Sequence, residues 1–441
     1  MSSFLLNILL LFICGQMVMC QDVYRAAIIG NGKQHTKNYA SLIHEAAKLD
    51  ADILLLETVE DKGNIGSCSR CDTNYDAILK AVSTAAKETA IYVGVHVYEK
   101  ITCNKHEDIV RSNLIFNRNG DIISVSRKPW NKANCNSTYS NSASFSTDFG
   151  VKFGVLMEED ILNVQDINFS NYIILGSRPR TSGKLHASQF ESSWAFISKI
   201  NVVSTNGIYG NTGATIKSNN IIVKEIKKEG NNKPKLQSSS YNVPDLARSI
   251  KLDLELAMQG YKENVCFEEV CCHFYVKLAG KGNSDVSYNV GVHAGTMDVG
   301  SQTVATRGCV LVACAGSDQS CSVLSRNSSE VTFKTISISS NFSQDCTQFP
   351  ILQTTDAKNI KFNQQNGINN RQVNMEIYEC NNVLNFGIIS IESKPIDESS
   401  EQLIDFSSYI TSENVQEFFD YLWIRLRFPI FIISIYILEM M

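Results

Sequence analysis

The stretch FGVLMEEDIL occupies residues 153–162 and is the most informative part of the chain. Its apolar first half predicts a buried strand, and the acids that follow predict a sharp turn at the strand's end. Many hydrolases present their nucleophile at such a turn between a strand and a helix. The residue predicted at the tip is Glu158, so a carboxylate stands where an attacking atom is expected.

Short apolar runs alternate with segments of helical periodicity on both sides of this stretch. The runs predict buried strands, and the periodic segments predict helices with one apolar face. The sequence NRNG at 117–120 predicts a hairpin turn between two of the strands. The alternation predicts an α/β domain. The predicted strands are 24–30, 53–56, 91–97, 112–117, 121–126, 153–157, 172–175 and 201–204, and the predicted helices are 38–49, 75–89 and 190–200.

The pattern changes after residue 223. Residues 224–240 are basic and then polar, with Gly230 and Pro234, which indicates a linker. Beyond about residue 245, short alternating segments predict a smaller, mainly β domain. With 441 residues, the chain suits two domains. We therefore expect an α/β domain over 21–235 and a β-rich, disulfide-containing domain over 245–410.

Both ends of the chain are apolar. Residues 4–14 form a run too short to span a bilayer, followed by small residues, which predicts a signal peptide over 1–20. The run 428–438, within a tail over 411–441, fits a removable segment that directs a lipid anchor. The alternative is a last buried strand or helix. The expected location is secreted or at the extracellular cell surface, with membrane attachment through the anchor.

Cysteines and sequons agree with an extracellular location. The chain has 14 cysteines, and removing Cys14 and Cys20 with the signal peptide leaves twelve, an even number that suggests disulfides in an oxidising compartment. The pair Cys68 and Cys71 could instead be half of a zinc site or a redox pair, but the matching partner spacing is missing. The Asn-x-Ser/Thr sequons, expected glycosylation sites, start at Asn136, Asn168, Asn327 and Asn341.

The composition excludes some functions. Apolar residues make up 44% of the chain and charged residues 19%, as in globular proteins. The formal net charge of -5 and the lack of a basic stripe argue against nucleic-acid binding. No metal or cofactor is expected.

Charged residues stand at the ends of predicted strands. Glu57 follows residues 53–56, Lys128 follows the second strand of the hairpin, and Glu158 follows 153–157. Strand ends in an α/β fold face the ligand crevice, so these side chains are the candidate site residues. Taken singly, each is more simply explained as a solvated turn.

These segments resemble the nitrilase superfamily, and within it the vanin/biotinidase branch. The most specific match is VCFEEVCCH at 265–273, whose Cys-x4-Cys-Cys-His spacing is similar to that branch. Other similar segments are ADILL at 51–55, LIFNRNG at 114–120, RKPWN at 127–131, FGVKFGV at 149–155, DIL at 160–162, FESSWA at 190–195 and NGIYG at 206–210.

The resemblance implies an α-β-β-α sandwich and an amidase acting on non-peptide carbon–nitrogen bonds such as those of pantetheine or biotin amides. The family uses a Glu base, a Lys that steadies the oxyanion and a Cys nucleophile. Glu57 matches the base, with Glu60 as the alternative, and Lys128 matches the lysine. The cysteine position falls on Glu158, and no cysteine lies between Cys135 and Cys266.

The Cys-Cys-His cluster is more simply structural than metal-binding, because disulfides are common in secreted β domains. We expect one of the adjacent cysteines to pair with Cys266 or with a more distant partner. The cysteines expected in disulfides are Cys266, Cys271, Cys272, Cys309 and Cys314.

Three hypotheses follow for function. The first is an inactive relative that binds a small amide or a protein partner through the retained pocket, with Glu57, Lys128 and Glu158 converging so that two carboxylates share one ammonium. The second is an amidase that uses a carboxylate-activated water, suggested by the acids 158–160 beside Lys128. The third is a structural or adhesive surface protein.

Overall fold

The computed structural model describes most of the chain between residues 22 and 395. The described ranges are 22–30, 38–56, 77–103, 106–129, 143–162, 167–176, 187–230, 236, 246–280, 286–299, 302–315, 322–323, 331–354, 359–368 and 370–395. The predicted signal peptide, the predicted anchor tail, Glu57 and Glu60 lie outside these ranges. Among the described residues, no helix combines the length and apolar character needed to cross a bilayer.

The first half of the chain alternates strands and helices, as its periodicity predicts. In chain order the elements are β1 (Val23–Ile29), α1 (Tyr39–Lys48), β2 (Ile53–Leu55), α2 (Ala77–Thr89), β3 (Tyr92–Cys103), β4 (His106–Phe116), β5 (Ile122–Pro129), β6 (Ala143–Ser146), β7 (Lys152–Leu156), a 3₁₀ turn (Glu158–Leu162), β8 (Asn171–Ile174), α3 (Ala187–Ser198), β9 (Asn201–Ser204), β10 (Gly207–Tyr209), β11 (Thr212–Lys217) and β12 (Ile221–Lys227).

Two mixed sheets form from these strands. The first sheet has the order β11-β12-β1-β2-β3-β4-β5, and the second has the order β10-β9-β8-β7-β6. Neighbours β1, β2 and β3 run parallel, as do β7, β8 and β9, so their carboxyl ends share one edge of each sheet. The predicted hairpin joins β4 to β5, with Asn117 Oδ1 accepting the backbone N–H of Asn119 and Gly120 at φ 81°.

The two sheets pack face to face between layers of helix. Apolar side chains of both sheets, among them Ile53, Ile115, Phe153 and Ile173, form one buried cluster. The outer face of the first sheet packs against α1 and α2. The outer face of the second sheet packs against α3. The predicted α-β-β-α sandwich is confirmed, because each sheet buries an apolar stripe on both faces.

The second half is almost entirely β. Its elements are β13 (Leu246–Lys251), α4 (Leu254–Gln259), β14 (Tyr261–Phe267), β15 (Val270–Gly280), β16 (Val286–Val299), β17 (Gln302–Ala315), β18 (Ser322–Val323), β19 (Thr332–Ser343), β20 (Cys346–Gln353), β21 (Lys361–Asn366), β22 (Asn370–Asn381) and β23 (Asn385–Pro395).

These strands form a second sandwich. The third sheet has the order β13-β16-β17-β23-β20, with β18 beside β17, and the fourth has the order β14-β15-β19-β22-β21. Alternate residues of both sheets face a common core, as period-two burial along β19 and β22 shows. A disulfide between Cys272 and Cys309 joins the fourth sheet to the third. The predicted β-rich, disulfide-containing region is confirmed.

Helix α3 lies between the two halves. Phe190 and Trp194 share one buried cluster with Phe349 of β20 and Ile389 of β23, and the rings of Phe190 and Phe349 meet edge to face with centroids 5.3 Å apart. Ser193 Oγ donates to the carbonyl of Pro350. The described residues belong to one compact unit ending at Pro395, and the contacts of this helix contribute to it.

The sequence prediction differs from the structure at the linker. Residues 224–227 belong to β12, which pairs with β1, and Lys224 Nζ donates to the carbonyl of Ile208 at 3.1 Å. The basic residues misled the prediction because they occupy the more exposed face of a strand that also carries Ile221, Val223 and Ile226. Strand β11 and helix α4 were also not predicted; β11 is largely exposed and has little apolar patterning.

Candidate functional site

The turn after β7 is fixed by its own backbone and by Asp160. Asp160 Oδ2 accepts the backbone N–H of Met157 at 2.8 Å, and the Asp160 N–H donates to the Met157 carbonyl at 3.0 Å. The Leu175 N–H donates to the Leu156 carbonyl at 3.2 Å, so the ends of β7 and β8 stay paired. The predicted turn is therefore a 3₁₀ turn, and Glu158 is its first residue.

Glu158 points into the protein. It is 4% exposed, and its Oε1 has no hydrogen-bond partner among the described residues. A Cβ at Gly176 would lie 2.7 Å from Glu158 Cδ. Because Gly176 has no side chain, the Glu158 carboxyl group has room beside the backbone just after β8.

Burial disfavours the charged form of this carboxyl group. It raises the pKa of Glu158 well above its ordinary value, the nearby carboxyls of Glu191 and Glu159 raise it further, and Arg111 opposes them. The site therefore favours the neutral acid at Glu158, which can donate a hydrogen bond, over the charged carboxylate.

A second buried carboxyl lies nearby on α3. Glu191 Oε2 accepts a hydrogen bond from Ser204 Oγ at 2.5 Å, and Glu191 Oε1 accepts one from Asn206 Nδ2 at 2.9 Å. Burial raises the pKa of Glu191 to about 7, while hydrogen bonds from Ser204, Asn206 and Tyr209 act in the opposite direction. Sequence analysis did not single out Glu191, although an acid between the buried Phe190 and Trp194 was a usable signal.

Lys128 lies at the end of β5 and pairs with different carboxylates than predicted. Its Nζ forms an ion pair with Asp160 and lies 3.7 Å from Glu159 Oε1. The prediction had Glu158 sharing this ammonium with Glu57. Because Glu158 turns inward as a neutral acid, the two neighbouring acids hold the lysine instead.

Glu159 is the charged centre of the cluster. Arg111 donates to Glu159 Oε2 at 3.1 Å and to Oε1 at 2.5 Å, and both side chains are buried. Burial raises the pKa of Glu159, but the hydrogen bonds and charge of Arg111, with Lys128, outweigh that cost and hold it below its ordinary value. Arg111 was not predicted, because it stands inside a strand and not at its end.

A buried amide holds the strand ends that carry the site. Asn113 Nδ2 donates to the carbonyls of Leu156 at 3.0 Å and Leu175 at 3.3 Å. Its Oδ1 is 2.7 Å from Nδ1 of His96, whose pKa burial lowers to about 4. Since the Asn113 amide nitrogen donates elsewhere, the neutral His96 ring donates through Nδ1. Arg111, Asn113 and Ile115 alternate along β4 and face the second sheet.

The arrangement is a charge-compensated cluster beside a neutral acid. Within the described ranges, no group of three or more His, Cys, Asp or Glu side chains is arranged to hold a metal ion. The predicted disulfide cysteines lie elsewhere, in the second half of the chain: Cys266 bonds Cys271, Cys272 bonds Cys309, and Cys314 is disulfide-bonded. Of the predicted sequons, Asn168 and Asn341 are exposed, and Asn136 and Asn327 lie outside the described residues.

The first half is thus a four-layered α-β-β-α body, and a β-sandwich follows it. A family model for the vanin C-terminal domain matches residues 244–395. Vanin-like protein 3 of Drosophila melanogaster is 26% identical over 313 residues, covering 58% of this chain and 59% of the relative. Vanin-like protein 2 of the same fly is 24% identical over 290 residues, covering 51% and 55%.

The family model and these relatives agree with the resemblance to the vanin branch that the sequence indicates. The chain spans somewhat more than half the length of these relatives. Among solved structures, it is similar to an amidase from Nesterenkonia sp. AN1, with a TM-score of 0.33 and 9% identity over 46% of this chain and 91% of the amidase. Another structure of that amidase, described as from the nitrilase superfamily, gives a TM-score of 0.32 and 9% identity.

Proposed function

We propose that this chain is a secreted, vanin-like protein that keeps the carbon–nitrogen hydrolase fold without the hydrolase reaction. It would bind a small amide or a protein partner through the region at the ends of β5 and β7. The observation that carries the proposal is Glu158, a buried carboxyl at the strand end where the family places its cysteine.

The chemistry at this position differs from that of a thiol. A carboxylate that attacked an amide would form an anhydride and could not form the thioester that the family's cysteine forms. Burial moreover raises the pKa of Glu158 and so favours its neutral form, which is a still weaker nucleophile. No cysteine lies between Cys135 and Cys266 to replace it in sequence.

Lys128 is also engaged by acidic side chains. An oxyanion-stabilising cation must be aimed at the reacting oxygen, whereas Lys128 pairs with Asp160 and approaches Glu159. Glu57, the proposed base, lies outside the described residues, so its part in the site stays a proposal. Glu57, Lys128 and Glu158 are proposed as the positional equivalents of the family's catalytic set.

The extracellular location is proposed on three supports. The apolar N-terminal run has the length of a signal peptide. The disulfides of the β-rich half suit an oxidising compartment. The matched relatives are vanin-like proteins. Membrane attachment through a lipid anchor is proposed from the apolar C-terminal tail alone.

The test is an amidase assay on the purified full chain with pantetheine and biocytin. We expect no turnover above the protein-free rate. Glu158→Cys should gain measurable hydrolysis or a trapped thioester, because it restores a thiol at the attack position, and Glu158→Gln is the matched control without a nucleophile. Wild-type turnover that Glu158→Gln abolishes would refute the inactive assignment.

Glu191 supports a second candidate, hydrolysis through a carboxylate-activated water. A carboxyl with a pKa of about 7 is half ionised at neutral pH and suits a general base. Under this alternative, wild-type turnover would rise with pH through about 7, and Glu191→Gln would abolish it. Unchanged substrate after long incubation with the wild type at pH 8 would exclude it. A surface protein without a ligand, the third hypothesis, predicts no thermal shift with either amide.

A further inference from the structure

A polar cleft lies in the C-terminal sandwich, away from Glu158. Its volume is about 420 Å³, within the range of small-ligand sites. Residues next in the chain to its lining are held by hydrogen bonds: Gln344 Nε2, in the turn between β19 and β20, donates to the carbonyl of Gly367 at 2.5 Å, and Arg371 Nη1 donates to Gln348 Oε1 at 3.1 Å. The side chains that matter for its chemistry are Arg307, Asn341, Cys346, Asn370, Ser390 and Glu392.

One rim residue is a glycosylation acceptor. Residues 341–343 read NFS, an Asn-x-Ser sequon, and Asn341 is exposed while Phe342 is buried beneath it. The sequon ends β19, directly before the turn 344–345. A sugar attached to Asn341 would therefore start at the mouth of the cleft.

The cleft also holds a thiol. Cys346 is half-buried and free, although Cys266, Cys271, Cys272, Cys309 and Cys314 in the same sandwich are disulfide-bonded. Burial raises the pKa of Cys346, Glu392 and Asp345 act in the same direction, and Ser390 and Arg307 oppose them. A low thiolate fraction slows disulfide exchange but does not prevent it, because access also sets the rate.

We infer that this cleft is the seat of an N-linked glycan on Asn341, whose proximal N-acetylglucosamine units lie in the cleft and cover Cys346. The inference rests on the proposed extracellular location. The cleft offers amide, hydroxyl, carboxylate and guanidinium groups, which match the alternating donors and acceptors of a sugar. The covered thiol would be kept from small disulfides in an oxidising compartment.

The test uses the full chain, secreted from a glycosylating eukaryotic cell. Glycopeptide mass spectrometry reports occupancy at each sequon. Iodoacetamide labelling of the folded protein, resolved by peptide, reports access to Cys346, and Cys346→Ala assigns that peptide. Ser343→Ala removes the sequon and retains Asn341. The matched control is Ser170→Ala, which removes the exposed sequon at Asn168, outside the cleft lining.

We expect a glycan on Asn341 and an alkylation rate at Cys346 that rises about tenfold in Ser343→Ala, since access limits the reaction. Ser170→Ala should leave the rate unchanged. Enzymatic deglycosylation of the folded wild type should reproduce the rise, which keeps the test valid if Ser343→Ala misfolds.

Three outcomes would overturn the inference. An unmodified Asn341 in the secreted chain refutes the glycan in the cleft and leaves the extracellular location standing, whereas a chain that is retained in the cell without any glycan refutes both. An occupied Asn341 whose removal leaves Cys346 labelling unchanged shows a glycan that points away from the cleft.

Discussion

The two halves of the molecule bury different kinds of side chain. Around the turn after β7, the first half buries Arg111, Glu158 and Glu159, together with Glu191 on α3. The second half fills its sandwich with apolar side chains and ties its sheets with a disulfide between Cys272 and Cys309. A buried charge is tolerated in the folded state only while its partner charge is present. A disulfide stabilises the fold mainly by restricting the conformations of the unfolded chain. Mutations should therefore affect the halves differently.

The largest effect is expected at the buried ion pair. Arg111→Met removes both hydrogen bonds of the buried Glu159 carboxylate to Arg111 and leaves Lys128, 3.7 Å away, as its remaining cation, which should cost about 3–5 kcal/mol of unfolding free energy, measured by urea denaturation. Asp50→Asn, which breaks the exposed pair with Arg25, should cost less than about 1 kcal/mol. The double variant Arg111→Met/Glu159→Leu should regain much of the loss. Equal costs for the buried and exposed pairs would contradict the comparison.

The next effect separates the two disulfides by loop length. Replacing Cys272 and Cys309 by alanine opens a loop with a sequence separation of 37, whereas Cys266 and Cys271 are separated by 5. Loop-closure entropy gives losses of about 4 and about 2 kcal/mol respectively. Denaturant unfolding of the two double variants measures both. A short-loop variant as unstable as the long-loop one would show that packing, and not chain entropy, dominates.

Protonation should affect the first half alone. The folded pKa of Glu191 is raised to about 7, so the folded state binds the proton more tightly than the unfolded chain does. The stabilisation that the folded state gains from the proton on Glu191 is complete below the ordinary glutamate pKa. It is lost as pH rises to about 7, so the unfolding free energy falls by about 3 kcal/mol. The raised pKa of Glu158 acts in the same direction.

Glu191→Gln should flatten this part of the stability curve, measured as unfolding free energy between pH 5 and 8. Glu229→Gln, at an exposed position, is the control and should leave the slope as in the wild type. An unchanged slope in Glu191→Gln would show that this carboxyl titrates alike in the folded and unfolded states.

The smallest effect probes the link between the halves. Thr347 Oγ1, on β20, donates to the Leu162 carbonyl at 3.3 Å, at the end of the 3₁₀ turn. Thr347→Val should cost about 1 kcal/mol, measured as a shift in the thermal midpoint, while Thr335→Val on β19 serves as the half-buried threonine control. If the shared cluster around α3 makes unfolding cooperative, a single transition should persist in both variants; two transitions would show independent halves.

The sequence was informative where the pattern is local. Apolar runs predicted β1, β7 and β9 within a residue or two, and the Asn117–Gly120 turn was found from its own residues. Lys224 shows the limit, because a basic residue on a strand's exposed face resembles a linker until its neighbours are known. Arg111 shows the same limit, since its partner Glu159 lies 48 residues further along the chain.

The amino-acid sequence alone determined the succession of strands along the chain and the acid at the end of β7. It also determined which cysteines and sequons are available for modification. These follow from local periodicity and residue identity. Only the tertiary structure decided that burial raises the pKa of Glu158, that Lys128 pairs with Asp160, and that Cys272 bonds Cys309. The physical reason is that ionisation and pairing depend on the burial and distance of groups far apart in the chain, which form only when the sheets pack.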